Sequence, residues 1–205
     1  MNLRLVALLA LLPFVASAPA AAQSAIDVSA LGYDRGNPEA PITIIEFADF
    51  ACSACGLFAR ESMPVLERDW VAPGRAKLKY VPFILGMFPR AVDAARAAEC
   101  AAEQNAFWSM HDLLYERQRE WTGLGDGRER FEGYARELRL DLSRFRSCWN
   151  SDRVKSRIDT STEIARQLQI RGTPTFFING ARIQGAIPHD RLGEYLESLT
   201  AEKRN

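Results

Sequence analysis

With two histidines and four cysteines among 205 residues, the sequence holds few groups from which to build a metal site. A zinc site at Cys52 and Cys55 would have to recruit Cys100, Cys148, His111 or His189, none of which forms a second closely spaced ligand pair. No metal and no other cofactor is expected. An excess of one charge is also missing: 26 basic residues face 26 acidic ones, a formal net charge of +0. No Lys/Arg-rich run stands out, so nucleic acid is not expected as a partner. Internal repeats and low-complexity tracts are lacking, which argues against solenoids and arrays. Past the first residues, no apolar run approaches the about 20 residues that span a bilayer.

What is present begins with a leader. Residues 1–4 are a short start containing Arg4, residues 5–15 are apolar, and residues 16–22 are small, the layout of a secretory signal peptide. The apolar run contains Pro13 and is too short to span easily, so cleavage is expected over a retained membrane anchor. The small-x-small rule places the cut after Ala22, with Ala20 at the minus-three position. The mature chain then starts at Gln23, loses Arg4 and carries one acidic charge in excess. Its length suits one soluble domain with a real hydrophobic core.

Residues 42–47, Ile-Thr-Ile-Ile-Glu-Phe, follow Pro41 as a β-branched and aromatic run that suits a central strand. From Ser53 to about Arg68 the period becomes helical through Leu57, Phe58, Val65 and Leu66, with Pro64 expected to kink the helix. After Pro73-Gly74, residues 76–83 read as a second strand. Residues 88–168 are helical almost throughout, broken by the glycines at 123–127 and by cap regions around Asp141 and Ser151. Strand character returns at residues 173–179. Asn179-Gly180 signals a hairpin into residues 181–184, and Pro188-His189-Asp190 opens a last helix ending near Leu199. The chain divides into a leader at 1–22, a first part of an α/β domain at 23–87, a helical insertion at 88–168 and a second part at 169–205.

A strand running straight into a helix puts the C-x-x-C of Cys52 and Cys55 at the helix N-terminus. Disulfide exchange needs one exposed, deprotonated sulfur to attack and a second near enough to release the mixed disulfide. The unpaired N–H groups and positive dipole end at a helix start favour a thiolate at Cys52, while Cys55, one turn further in, is the more buried resolving thiol. A static disulfide, half of a zinc site, or chance are the competing readings of a C-x-x-C.

The segment Glu46-Phe47-Ala48-Asp49-Phe50-Ala51-Cys52-Ser53-Ala54-Cys55 resembles the active-site segment of DsbA-like proteins of the thioredoxin superfamily. The step from Cys55 to Pro64, the run Cys100-Ala101-Ala102-Glu103-Gln104-Asn105-Ala106-Phe107-Trp108, and Gly172-Thr173-Pro174-Thr175-Phe176-Phe177-Ile178-Asn179-Gly180 are similar to that family too. The resemblance implies an α/β thioredoxin fold, β-α-β then β-β-α, with an inserted helical cap. It also implies that Thr173-Pro174 is a cis-proline loop binding substrate backbone; local sequence alone favours an ordinary trans proline opening a strand. Glu46, costly as a buried charge, is implied to relay protons to and from Cys55, with Lys79 as an expected partner, against a strand-end glutamate as the plain alternative. The Ser53-Ala54 dipeptide departs from the best-known member in lacking histidine and proline, which should leave Cys52 less acidic and the disulfide less oxidising.

Cys100 and Cys148 both fall in the helical insertion, where a disulfide is expected; two buried free thiols, or a second redox pair exchanging with Cys52, are the alternatives. His111 reads as a surface or cap residue, and Trp108, Trp121, Trp149, Phe107, Phe131 and Phe145 as the core of the cap. The expected function is disulfide formation in unfolded or partly folded exported proteins, in the periplasm, by a monomer restored by a membrane reoxidase. An isomerase or reductase kept reduced by a partner, or a non-catalytic chaperone module, are the other readings.

Overall fold

The computed structural model describes residues 27–123 and 127–202. The expected signal peptide at 1–22 lies outside them. Five strands form one sheet in the order β1-β3-β2-β4-β5. At its centre, β2 (Ile42–Ala48) pairs in parallel with β3 (Ala76–Pro82) and antiparallel with β4 (Thr175–Ile178). The period of two sorts β2 between the sheet faces. Ile42, Ile44 and Ala48 join the cores packed under the helices, while Phe47 and Ile45 pack on the opposite face with Val81 and Ile170.

An edge strand absent from the sequence reading, β1 (Tyr33–Arg35), pairs antiparallel with β3. It is three residues long, too short for its alternation to stand out in the sequence. Gly32, at φ +63°, sits where a side chain would meet the Tyr80 carbonyl, so the close approach of this edge depends on glycine.

The expected single kinked helix is divided. α1 (Ser53–Glu61) ends at Ser62, α2 (Met63–Leu66) begins with Pro64 in its first turn, and a π-helical turn follows at Glu67–Val71. Pro64 has no N–H to continue α1, but in a first turn none is needed. Between β3 and β4 lie α3 (Ala91–Ala102), α4 (Phe107–Glu116), α5 (Gln118–Trp121), α6 (Gly127–Glu137), α7 (Leu142–Trp149) and α8 (Asp152–Gln167). Asp141 and Ser151 accept first-turn N–H bonds and cap α7 and α8.

Trp121, Phe131, Phe145 and Trp149 fill the core of this helical layer, with Trp108 only partly covered beneath Arg35. Cys100 of α3 and Cys148 of α7 are joined by a disulfide. The chain closes through the Asn179-Gly180 turn, both residues at positive φ, into β5 (Ala181–Gln184) and α9 (His189–Glu202).

Candidate active site

The β-branched run of β2 ends at Ala48, and the chain turns through residues 49–51 into α1. Cys52 is the N-cap of that helix, extended at φ −74° and ψ 123°, and Cys55 lies on its first turn. The two sulfurs are not bonded to each other. Opposite them the Thr173-Pro174 peptide is cis, and the Thr173 carbonyl lies 3.4 Å from Cys52 Sγ. The sulfur expected to be exposed is largely covered: Cys52 keeps 6% of its surface and Cys55 none. The Thr173 carbonyl of the proline loop is one group packed against it.

The two thiols are driven apart. A hydrogen bond from the Cys55 thiol, joined by Thr173 and the N–H groups of Cys55 and Ala54, lowers Cys52 from 9.0 to about 5 against the opposing effect of burial. Burial, followed by that same bond and the charges of Cys52 and Glu46, pushes Cys55 well above its ordinary value. A value of about 5 for Cys52 falls between the roughly 3.5 of a strongly oxidising DsbA and the roughly 7 of thioredoxin.

Glu46 is 1% exposed and its Oε2 has no hydrogen-bond partner. Burial alone raises its pKa to about 8. The expected partner Lys79 does not reach it. In the β2–β3 register Glu46 stands beside Tyr80 and Lys79 beside Ile45, so the lysine occupies the other face and bonds Asp34 and the carbonyls of Ser29 and Leu31.

Folded Glu46 therefore keeps a proton that an unfolded glutamate loses near 4.5. Stability from this group is complete below pH 4.5 and is lost as pH rises through about 8. In the oxidised protein, where neither active-site thiol titrates, Glu46→Gln should melt progressively higher relative to wild type between pH 5 and 8.5. Parallel Tm curves for the two proteins would contradict this assignment.

Several site residues carry no local sequence signal. Gln118 of α5 donates from Nε2 to the carbonyls of Phe50 and Cys52, at 2.7 and 2.8 Å, holding the active-site turn from the helical layer. Gly56 must lack a side chain because Gln118 and Arg60 occupy the space a Cβ would take. His111, expected at the surface, is 1% exposed among Tyr80, Phe50, Trp108 and Tyr115. α4 turns that position toward the sheet, and burial lowers its pKa despite the bond to Asp112. Tyr80 and Tyr115 join hydroxyls at 2.8 Å in the same pocket. Among the described residues no group of three or more His, Cys, Asp or Glu could hold a metal ion.

A helix-start dithiol facing a cis-proline loop is a thioredoxin-type site, and the Thioredoxin family model matches residues 32–198. The chain belongs to that family. Its fold is that of DsbA proteins. It superposes on alpha-DsbA1 of Wolbachia pipientis with a TM-score of 0.74 at 22% identity, covering 82% of this chain and 90% of that one. BdbD of Bacillus subtilis, in its oxidised form, gives 0.70 at 22% identity, covering 80% and 90%.

Among curated proteins, Na(+)/H(+) antiporter NhaA 3 of Salinispora tropica is 39% identical over 170 residues, covering 83% of this chain but 25% of that protein. The chain thus spans about a quarter of the antiporter relatives it matches. Disulfide bond formation protein D of Bacillus subtilis is 23% identical over 79% of this chain and 74% of its own length. Among the described residues no helix is long and apolar enough to cross a membrane.

Proposed function

We propose that this chain is an exported thiol-disulfide oxidoreductase that introduces disulfides into unfolded or partly folded proteins. The observation that carries the reading is the opposed pair of thiols one helical turn apart, Cys52 lowered to about 5 and Cys55 raised. In the oxidised enzyme a substrate thiolate attacks Cys52 Sγ and the Cys52–Cys55 bond breaks. Cys55 leaves as a thiolate that its buried site disfavours, and it takes the proton that Glu46 holds up to about pH 8. A second substrate thiolate then attacks the substrate sulfur of the mixed disulfide, forming the substrate disulfide and expelling Cys52. The low pKa makes Cys52 a good leaving group.

Thr173 and Pro174 line the sulfur from the opposite side, where they would align the substrate backbone. Cys100 and Cys148 act as a structural bond between α3 and α7. The leader pattern and the similarity to disulfide-forming relatives support a periplasmic protein, working as a monomer and recharged by a membrane reoxidase.

The test is trapping. Oxidised wild type incubated with a reduced, unfolded peptide carrying two cysteines should release disulfide-bonded peptide, whereas Cys55→Ala, carrying an activated disulfide on Cys52, should accumulate on non-reducing gels the Cys52 adduct of a single-cysteine peptide, which has no second thiol to release it. Absence of both peptide oxidation and adduct would overturn the reading. Net reduction of peptide disulfides by the dithiol form, without oxidation, would favour the reductase alternative.

A further inference from the structure

Asp49 stands three residues before Cys52 and is completely buried. Its Oδ1 accepts the Ala51 N–H at 2.9 Å and its Oδ2 accepts the Leu85 N–H at 3.1 Å. Its own carbonyl accepts the Cys52 N–H at 3.0 Å. One carboxylate therefore clips the active-site turn to the loop that leaves β3. That loop is held from its other side by α8, where Thr162 Oγ1 accepts the Ile84 N–H at 3.2 Å.

Among the described residues no ion pair includes Asp49. Cys52 on the turn and Tyr80 on β3 couple to its charge. Beyond the loop, Arg96 of α3 and the charges of α8 line a separate cavity beside Ile84. There Lys155 bonds Asp159, Arg166 pairs with Glu163 and Arg96 donates to the Trp149 carbonyl. Two backbone N–H groups, of Ala51 and Leu85, donate to the buried carboxylate.

We propose that Asp49 is a positioning residue for the dithiol whose ionised carboxylate also restrains Cys52: it sets the turn that presents the sulfur and opposes the thiolate there, holding the disulfide less oxidising than the helix start alone would make it. This rests on Cys52 and Cys55 being the redox pair. Burial, against the two N–H bonds and with a smaller push from the Cys52 charge, raises Asp49 to about 6. The coupling is reciprocal, so an ionised Asp49 must weaken the Cys52 thiolate by the same factor.

Reduction by glutathione shows the consequence. Two glutathione thiols give up two electrons and leave as oxidised glutathione, the Cys52–Cys55 bond breaks, and of the two protons one stays on Cys55 and one is released by Cys52. Near pH 6 Asp49 takes up part of that released proton, because its affinity rises as the thiolate forms.

Two measurements test this. In wild type, the Asp49 carboxyl followed by carbon NMR across pH should titrate higher in the reduced than in the oxidised protein, and equal titrations would overturn the proposal. In Asp49→Asn, which keeps one acceptor and loses the charge, the Cys52 thiolate absorbance should titrate to about tenfold weaker proton affinity. The glutathione equilibrium constant should move about tenfold toward oxidising, roughly 30 mV. A folded variant with both quantities unchanged, or with a less oxidising disulfide, would also overturn it. A reversible wild-type transition, measured alongside, tests the redox pair separately from Asp49.

Discussion

Cys52→Ser is expected to lower the rate of peptide disulfide formation by at least about a thousandfold while leaving the protein folded. The loss is large because a hydroxyl cannot form the disulfide that is transferred, and Cys55, with no exposed surface and a raised pKa, cannot substitute as the attacked sulfur. The fold should not suffer, because the substituted residue is the N-cap of α1, a position that a hydroxyl side chain can also fill. Serine is among the preferred N-caps, worth about 1 kcal/mol where its oxygen accepts an N2 or N3 amide. Dead activity with equal or higher Tm would separate chemistry from folding. A variant that kept its activity would place the function elsewhere, as a non-catalytic binding module would.

The second large effect is on stability. Replacing Cys100 and Cys148 by alanine together should cost about 4 kcal/mol on the chain-entropy estimate, because the bond closes a long loop with a separation of 48 residues. For a chain of this size that corresponds to a fall in Tm of roughly 8–16 °C. Both sulfurs are buried, Cys100 fully and Cys148 to 4% exposure, and the bond ties α3 to α7 away from the dithiol. Peptide oxidation at a temperature where the variant is folded should stay within about twofold of wild type. A variant as stable as wild type would contradict the structural role, and one that lost activity while folded would make the pair a participant in exchange.

The parts of the molecule readable from sequence are those whose signals are local. The β-branched run of β2 followed by a helical period at Ser53 places Cys52 at a helix start, and Asn179-Gly180 marks the hairpin because both residues need positive φ. The long helical insertion was readable for the same reason, from periodicity sustained across many residues. β1 was not, since three residues on an edge are too few to show a period and depend on β3 for their conformation. Pro64 signals a disturbance in the helical pattern, but whether it bends one helix or begins another depends on the chain after it.

At the site the division is similar. Cys52 and Cys55 announce themselves by type and spacing, and Glu46 and Pro174 through the resemblance of their segments. Gln118, Asp49 and His111 do not, because each acts through contacts between elements distant in sequence. Gln118 reaches Cys52 across 66 positions and Asp49 reaches Leu85 across 36. The misplaced Glu46–Lys79 pair has the same origin: neighbouring strands were inferred, but their register was not. One residue of register decides which face a lysine occupies.

The most direct test of a disulfide-donating pair is the redox equilibrium of the purified protein against glutathione buffers at pH 7, read by tryptophan fluorescence and by alkylation of Cys52. A low-pKa Cys52 stabilises the reduced form and so makes the disulfide oxidising. The account predicts a reversible transition at about −120 to −180 mV. A potential near the roughly −270 mV of thioredoxin would contradict the donor role, and no reversible transition would contradict the redox site itself.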